Sequence, residues 1–133
     1  MTISHQLLLT LFPKFYAIAR FSPDDPVHID YSRTSFFTLT RTADELSIVC
    51  EQSDLPSGVR AERDRRLLRI ESVINFELTG VLSALAAPLA EAEISIFAVS
   101  SFDTDYLLIA NRDIEPAIAV LENAGHRIQR SLA

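Results

Sequence analysis

Apolar and polar positions alternate in short runs through the first half of the chain. Leu7–Phe12 and Phe15–Phe21 read as two strands interrupted at Pro13–Lys14, since proline cannot donate to a strand ladder. Ser22-Pro23-Asp24-Asp25-Pro26 is a loop by its breaker residues, and Ser35–Thr40 is a strand by propensity. Thr42-Ala43-Asp44-Glu45 has the form of a capping box, with Thr42 as N-cap and Glu45 at the third helical position, and predicts a helix of about one turn. Leu46–Cys50 returns to strand character, and Gln52–Gly58 is a turn-rich linker. The charged stretch Arg60–Arg66 is interrupted by Glu62 and Asp64. It reads as a solvated segment joining two halves rather than as a phosphate or nucleic-acid patch.

From Leu67 onward the pattern is more regular. Leu67–Ile74 is a strand, and Thr79–Ala92 is a helix whose Leu82, Leu85, Ala86 and Leu89 recur at 3.6-residue spacing. Ile94–Phe102 is a strand with Ile94, Ile96 and Ala98 on one face and Phe97 and Val99 on the other. Tyr106–Ala110 is a further strand. Asp113 caps a helix that carries Ile114, Ala117, Ile118 and Leu121 on one side and tolerates Pro116 in its first turn. Gly125 stops that helix in a left-handed cap, and His126–Gln129 is a short last strand. The order β-α-β-β-α-β is the split, ferredoxin-like arrangement of the α+β class. Two helices cover one sheet face, and Phe97 and Val99 on the other call for a second sheet or a second subunit.

Composition narrows the function classes. A chain of 133 residues with 48% hydrophobic and 23% charged content has room for one compact domain or two small subdomains. Twelve basic against 18 acidic residues, a net charge of −6, makes it a poor binder of nucleic acid. The single cysteine, Cys50, excludes an intrachain disulfide framework and a multi-Cys metal site, and it reads as a small core residue. No secretory leader and no run of about 18 apolar residues are visible, so the expectation is a soluble cytoplasmic protein without membrane contact. His5, His28 and His126 are dispersed, which makes a metal site improbable. No GxSxG, P-loop or GxGxxG motif occurs, and no cofactor is implied.

Two segments carry candidate chemistry. Asn75-Phe76-Glu77-Leu78-Thr79-Gly80 joins a strand to a helix. Free amides at the helix start favour an anion such as an α-carboxylate, and Gly80 permits close approach; equally, Thr79 is an ordinary cap. Ser101-Phe102-Asp103-Thr104-Asp105 links two strands, and Asp103 and Asp105, two apart, can point together toward an ammonium group or a divalent ion. The alternative is a hairpin in which these residues supply turn chemistry.

The string Ala87-Pro88-Leu89-Ala90-Glu91-Ala92, followed by Ile94–Ser100 and Ser101-Phe102-Asp103-Thr104-Asp105-Tyr106, resembles an ACT domain, the small ligand-binding module of amino-acid metabolism. The similarity is to the subfamily of bacterial stand-alone tandem-ACT proteins and eukaryotic cytosolic arginine sensors. Phe36–Thr42 with Glu45 and Leu46 resembles that subfamily's first repeat. The resemblance implies two tandem units, residues 1–65 with a degenerate pattern and residues 66–133 complete. Glu93 stands where many ACT domains have glycine, a departure that costs roughly 1 kcal/mol if the cap is left-handed.

The resemblance further implies a ligand, most simply an amino acid, held at an interface between ACT units of a homodimer. Residues 75–80 would contact it, Asp105 would pair with its cationic group, and Ser101 and Phe102 would add backbone and packing contacts. The expectation is therefore a non-catalytic sensor or regulatory module acting on a separate protein target. The rivals are a structural homodimer that binds no ligand and an acylphosphatase-like enzyme on the same fold, for which no arginine-and-amide phosphate cradle is present.

Overall fold

The computed structural model describes residues 6–27, 29–71 and 78–132, with residues 78 and 79 described by backbone alone. Among these residues eight strands and two α-helices follow in the order β1 (Leu8–Leu11), β2 (Tyr16–Phe21), β3 (Thr38–Arg41), β4 (Leu46–Glu51), β5 (Ala61–Ile70), α1 (Leu78–Glu91), β6 (Phe97–Ser100), β7 (Asp105–Ala110), α2 (Ile114–Asn123) and β8 (Arg127–Arg130). They form two compact units. One is Lys14–Arg65; the other joins the chain up to Pro13 to the chain from Arg66 onward. β5 contributes its first half to the former and its second half to the latter.

The Lys14–Arg65 unit is a sheet in the order β3-β4-β2-β5, antiparallel throughout. Ala17, Ala19, Leu46, Ile48 and Cys50 supply its core together with Ile29 and Leu55. Burial pushes the Cys50 thiol up to about 11, as suits a small core residue rather than a nucleophile.

Two local expectations are corrected here. Thr42–Glu45 forms no helix: the Thr42 hydroxyl accepts the amides of Asp44 and Glu45 (both 3.1 Å), but the four residues turn the chain from β3 to β4. The capping hydrogen bonds are the same in a helix start and in this turn, and the cross-strand partners Arg41 and Leu46 decide for the turn. The charged stretch is strand rather than linker. From Ala61 onward its residues lie in β5, where β2 offers a ladder; Glu62 and Asp64 are exposed, while Arg63, Arg65 and Arg66 are half-buried. Asp64 breaks the regular alternation with φ +59°, where the register against β2 shifts, and Gln52 holds it through its side-chain amide.

The second unit has the sheet order β8-β1-β5-β7-β6, with α1 and α2 over one face. The β5-α1-β6-β7-α2-β8 succession is the expected βαββαβ pattern, with β1 inserted between its first and last strands. The strand at Leu8–Leu11 therefore lies outside the unit expected at residues 1–65. The reason is apolar register: Leu9 sits opposite Ile70 on β5 and Ile128 on β8, and Leu7, Leu9 and Leu11 all enter the helix-covered core. Val81, Leu85 and Leu89 face that core from α1, and Ile114, Ala117, Ile118 and Leu121 from α2, each at helical spacing.

Both helices end in the same way. After α2, the His126 amide bonds the Leu121 carbonyl and the Gly125 amide the Glu122 carbonyl (both 3.0 Å), with Gly125 at φ +102°. After α1, the Ile94 amide bonds Leu89 and the Glu93 amide bonds Ala90 (both 2.9 Å), with Glu93 at φ +62°. These are Schellman caps, and Glu93 occupies the left-handed position where glycine is least strained. Asp113 immediately precedes α2 but makes no side-chain capping bond; a short 3₁₀ turn over Asn111–Asp113 leads into the helix instead.

Candidate functional site

Both candidate segments belong to the second unit. Asn75, Phe76 and Glu77 lie outside the described residues, as does the end of the strand expected to run to Ile74. Leu78, Thr79 and Gly80 form the first turn of α1, so Thr79 lies inside the helix.

The segment 101–105 is the turn between β6 and β7. The Ser101 amide donates to the Thr104 carbonyl (2.8 Å), the Ser101 hydroxyl donates to the same oxygen (2.9 Å), and the Thr104 amide returns a bond to that hydroxyl (3.3 Å). Hairpin chemistry accordingly occupies Ser101 and Thr104. Phe102 and Asp103 are exposed at the tip. Asp103 is outside β7, so it does not share a strand face with Asp105 as two-residue spacing suggested. Thr104 has a second role: its hydroxyl donates to the Ile70 carbonyl at the end of β5 (2.5 Å). That bond fastens the turn to the end of the sheet where the chain leaves β5 for α1.

Asp105 begins β7 opposite Ser100 and is half-buried. Alternation puts it on the face of Leu107 and Ile109, both of which enter the helix-covered core. Among the described residues its carboxylate has no hydrogen-bond or ion-pair partner. A carboxylate on the helix side of a sheet, at the end where a helix starts, is suited to receive an ammonium or guanidinium group.

On the neighbouring strands the sheet carries a polar cluster that sequence reasoning missed. Glu71 accepts from the Thr10 hydroxyl (2.6 Å) and from Arg69 Nε (2.7 Å), Gln129 donates to Thr10 (2.9 Å), and the Arg69 guanidinium lies 4.9 Å from the centre of the Phe12 ring. Burial raises the Glu71 pKa, but the Thr10 and Arg69 hydrogen bonds and the Arg69 charge outweigh it and hold the carboxyl below its ordinary range. Thr10 faces Arg69 on β5 and Gln129 on β8, a cross-strand set that only pairing reveals. No group of three or more His, Cys, Asp or Glu side chains among the described residues could hold a metal ion.

A buried carboxylate belongs to the Lys14–Arg65 unit. Glu51 accepts the Ser35 amide (2.7 Å) and hydroxyl (2.5 Å) and pairs with Lys14 (3.3 Å), while Ser35 also meets the Tyr16 hydroxyl (3.1 Å). Burial pushes its pKa up, yet the bonds from Ser35, Lys14 and Thr34 prevail and hold it at about 2. All of its acceptor capacity is engaged by this chain, so it fastens the segment before β3 rather than offering a binding site.

The βαββαβ succession with two helices on one sheet face defines a module of the ferredoxin-like α+β class. The ACT domain family model matches residues 60–123, and a second model, of an N-terminal domain, matches residues 14–58. An X-ray crystal structure of a protein from Agobacterium tumefaciens is 33% identical, superimposes with a TM-score of 0.89, and shares 96% of each chain. The human protein CASTOR3P is 26% identical over 114 residues, covering 73% of this chain and 70% of that one. The ligand-free regulatory subunit of aspartate kinase from Thermus thermophilus shares the fold, with a TM-score of 0.58 at 13% identity over 84% of this chain and 93% of that one. The chain belongs to the ACT domain family.

Proposed function

We propose that this ACT domain protein is a non-catalytic sensor that binds a small amino acid at the end of the second unit where Thr104 of the β6–β7 turn is bonded to the end of β5. The observation that carries the reading is Asp105: a half-buried carboxylate on the helix side of the sheet, without a partner among the described residues, beside a turn that Thr104 ties to β5. In this reading Asp105 receives the ligand's cationic group. The start of α1, with Leu78, Thr79 and Gly80, faces the α-carboxylate together with Asn75, Phe76 and Glu77, and Ser101, Phe102, Asp103 and Thr104 frame the entrance.

The module acts as a homodimer whose ligand bridges two copies and stabilises one arrangement over another, and it passes that state to a separate protein target. Support for association comes from β6, which pairs only with β7 among the described residues. The run from Ile94 to Phe102 carries no charge, and Phe97 is 38% exposed.

The test is a thermal-shift screen against the twenty amino acids at millimolar concentration. A ligand at about 100 times its Kd adds roughly 2.7 kcal/mol, a shift of several degrees. One clear response, lost in Asp105→Ala, is expected. A flat profile refutes amino-acid binding, and a response unchanged by Asp105→Ala places the pocket elsewhere. Light scattering that returns a monomer at micromolar concentration refutes the dimer.

A further inference from the structure

Pro88 lies inside α1 and has no amide hydrogen, so the Ala84 carbonyl, four residues earlier, lacks its helical donor. The compensating group comes from across the fold. His126 Nε2 stands 3.3 Å from that carbonyl oxygen, and His126 Nδ1 accepts the backbone amide of Leu7 at 3.1 Å. Leu7 is fully buried and leads into β1, and His126 is 6% exposed. An imidazole that accepts at Nδ1 and donates at Nε2 is the neutral Nε2–H tautomer, and no other protonation state satisfies both contacts.

We propose that His126 is an acid-released latch: in its neutral form it ties the entry of β1 to the proline-broken turn of α1, and protonation at Nδ1 sets two N–H donors face to face and frees the β1 entry. The released element is a central one, since β1 lies between β5 and β8 and carries Leu7, Leu9 and Leu11 into the core. Among the described residues no charged or titratable group faces the ring from β1, α1, α2 or β8. Its titration is governed by burial, which lowers the pKa, and by the Ala84 carbonyl, which acts in the opposite sense. A histidine held neutral by the fold stabilises it fully above the unfolded pKa, near 6.5. That contribution is lost as pH falls from there through the lower folded value.

The experiment follows the histidine side-chain nitrogens by NMR from pH 7.5 to 5, together with amide exchange at Leu7, on the full chain and on His126→Gln. The Gln side chain offers one acceptor and one donor at every pH. The expected result is an Nε2–H tautomer in the native protein and a Leu7 opening equilibrium that rises as pH falls, by at most about tenfold per pH unit for one proton. His126→Gln should show no such rise, although it retains His5 and His28. The proposal is overturned by an Nδ1–H tautomer, by His126 titrating at its ordinary value with Leu7 protection unchanged, or by the same pH dependence in both proteins. If His126→Gln does not fold, the tautomer and the Leu7 profile of the native protein decide alone.

Discussion

The two Schellman caps allow a matched pair of substitutions with opposite signs. Glu93 at φ +62° holds a left-handed conformation that costs an L-residue about 1–2 kcal/mol, and its exposed side chain leaves no packing to lose. Glycine there relieves the strain but gives back about 0.4–1 kcal/mol through a more flexible unfolded chain. Removing a negative charge from a helix C-terminus adds about 0.3 kcal/mol or more. Glu93→Gly should therefore stabilise the protein by about 1 kcal/mol, a few degrees in Tm.

Gly125→Ala tests the same geometry in reverse. A Cβ at Gly125 meets nothing within 4 Å, so the penalty is that of the backbone alone, about 1 kcal/mol at φ +102°. Urea unfolding at pH 7 measures both against the native chain. If Glu93→Gly destabilises, or if Gly125→Ala is neutral, the left-handed caps are not the conformations that end these helices.

Three further outcomes are expected. Glu51 has a folded pKa of about 2, below its ordinary 4.5, so its contribution is complete above pH 4.5 and is lost as pH falls toward 2; Glu51→Gln should flatten that part of the stability profile in urea titrations at pH 3 and pH 6. Leu85 is fully buried under the second unit's sheet, so Leu85→Ala should cost about 2–5 kcal/mol, read as a lower urea midpoint. Thr104→Val removes the hydroxyl bond to Ile70 and should cost about 1 kcal/mol while weakening any amino-acid-induced thermal shift, because the turn beside Asp105 is no longer fastened.

Much of the second unit was legible in the chain itself. The 3.6-residue recurrence of Ile114, Ala117, Ile118 and Leu121 names the face of α2 that the structure buries; for α1, Leu85 and Leu89 are buried as read, while Val81 is buried and Leu82 and Ala86 are half-buried. Gly125 names the end of α2. Such signals are local: a helix face or a left-handed cap is specified within a few residues. The ACT resemblance rested on the same stretch. Residues whose roles depend on distant partners were not legible. Thr42–Glu45 offers the same side-chain hydrogen bonds to a helix start and to a turn, and β4 beside β3 decides between them. Arg60–Arg66 reads as solvated charge until β2 supplies a ladder. Leu8–Leu11 reads as the first strand of the first unit until Ile70 and Ile128 are seen on either side of it.

The candidate site divides in the same way. Spacing offered Asp103 and Asp105 together and the start of α1, and the ACT resemblance pointed to Asp105, but the face that Asp105 occupies follows from its register against Ser100 and from the core beside it. Glu71 and His126 give no local sign of their roles, since Thr10 lies 61 residues from Glu71 and Ala84 and Leu7 lie 42 and 119 residues from His126. Sequence by itself determined the apolar faces of α1 and α2, the left-handed positions that end them and the class of fold, because these depend on near neighbours. Tertiary structure decided which strands pair, which carboxylates are engaged and which histidine is held neutral, because burial and a partner's position are properties of the folded chain.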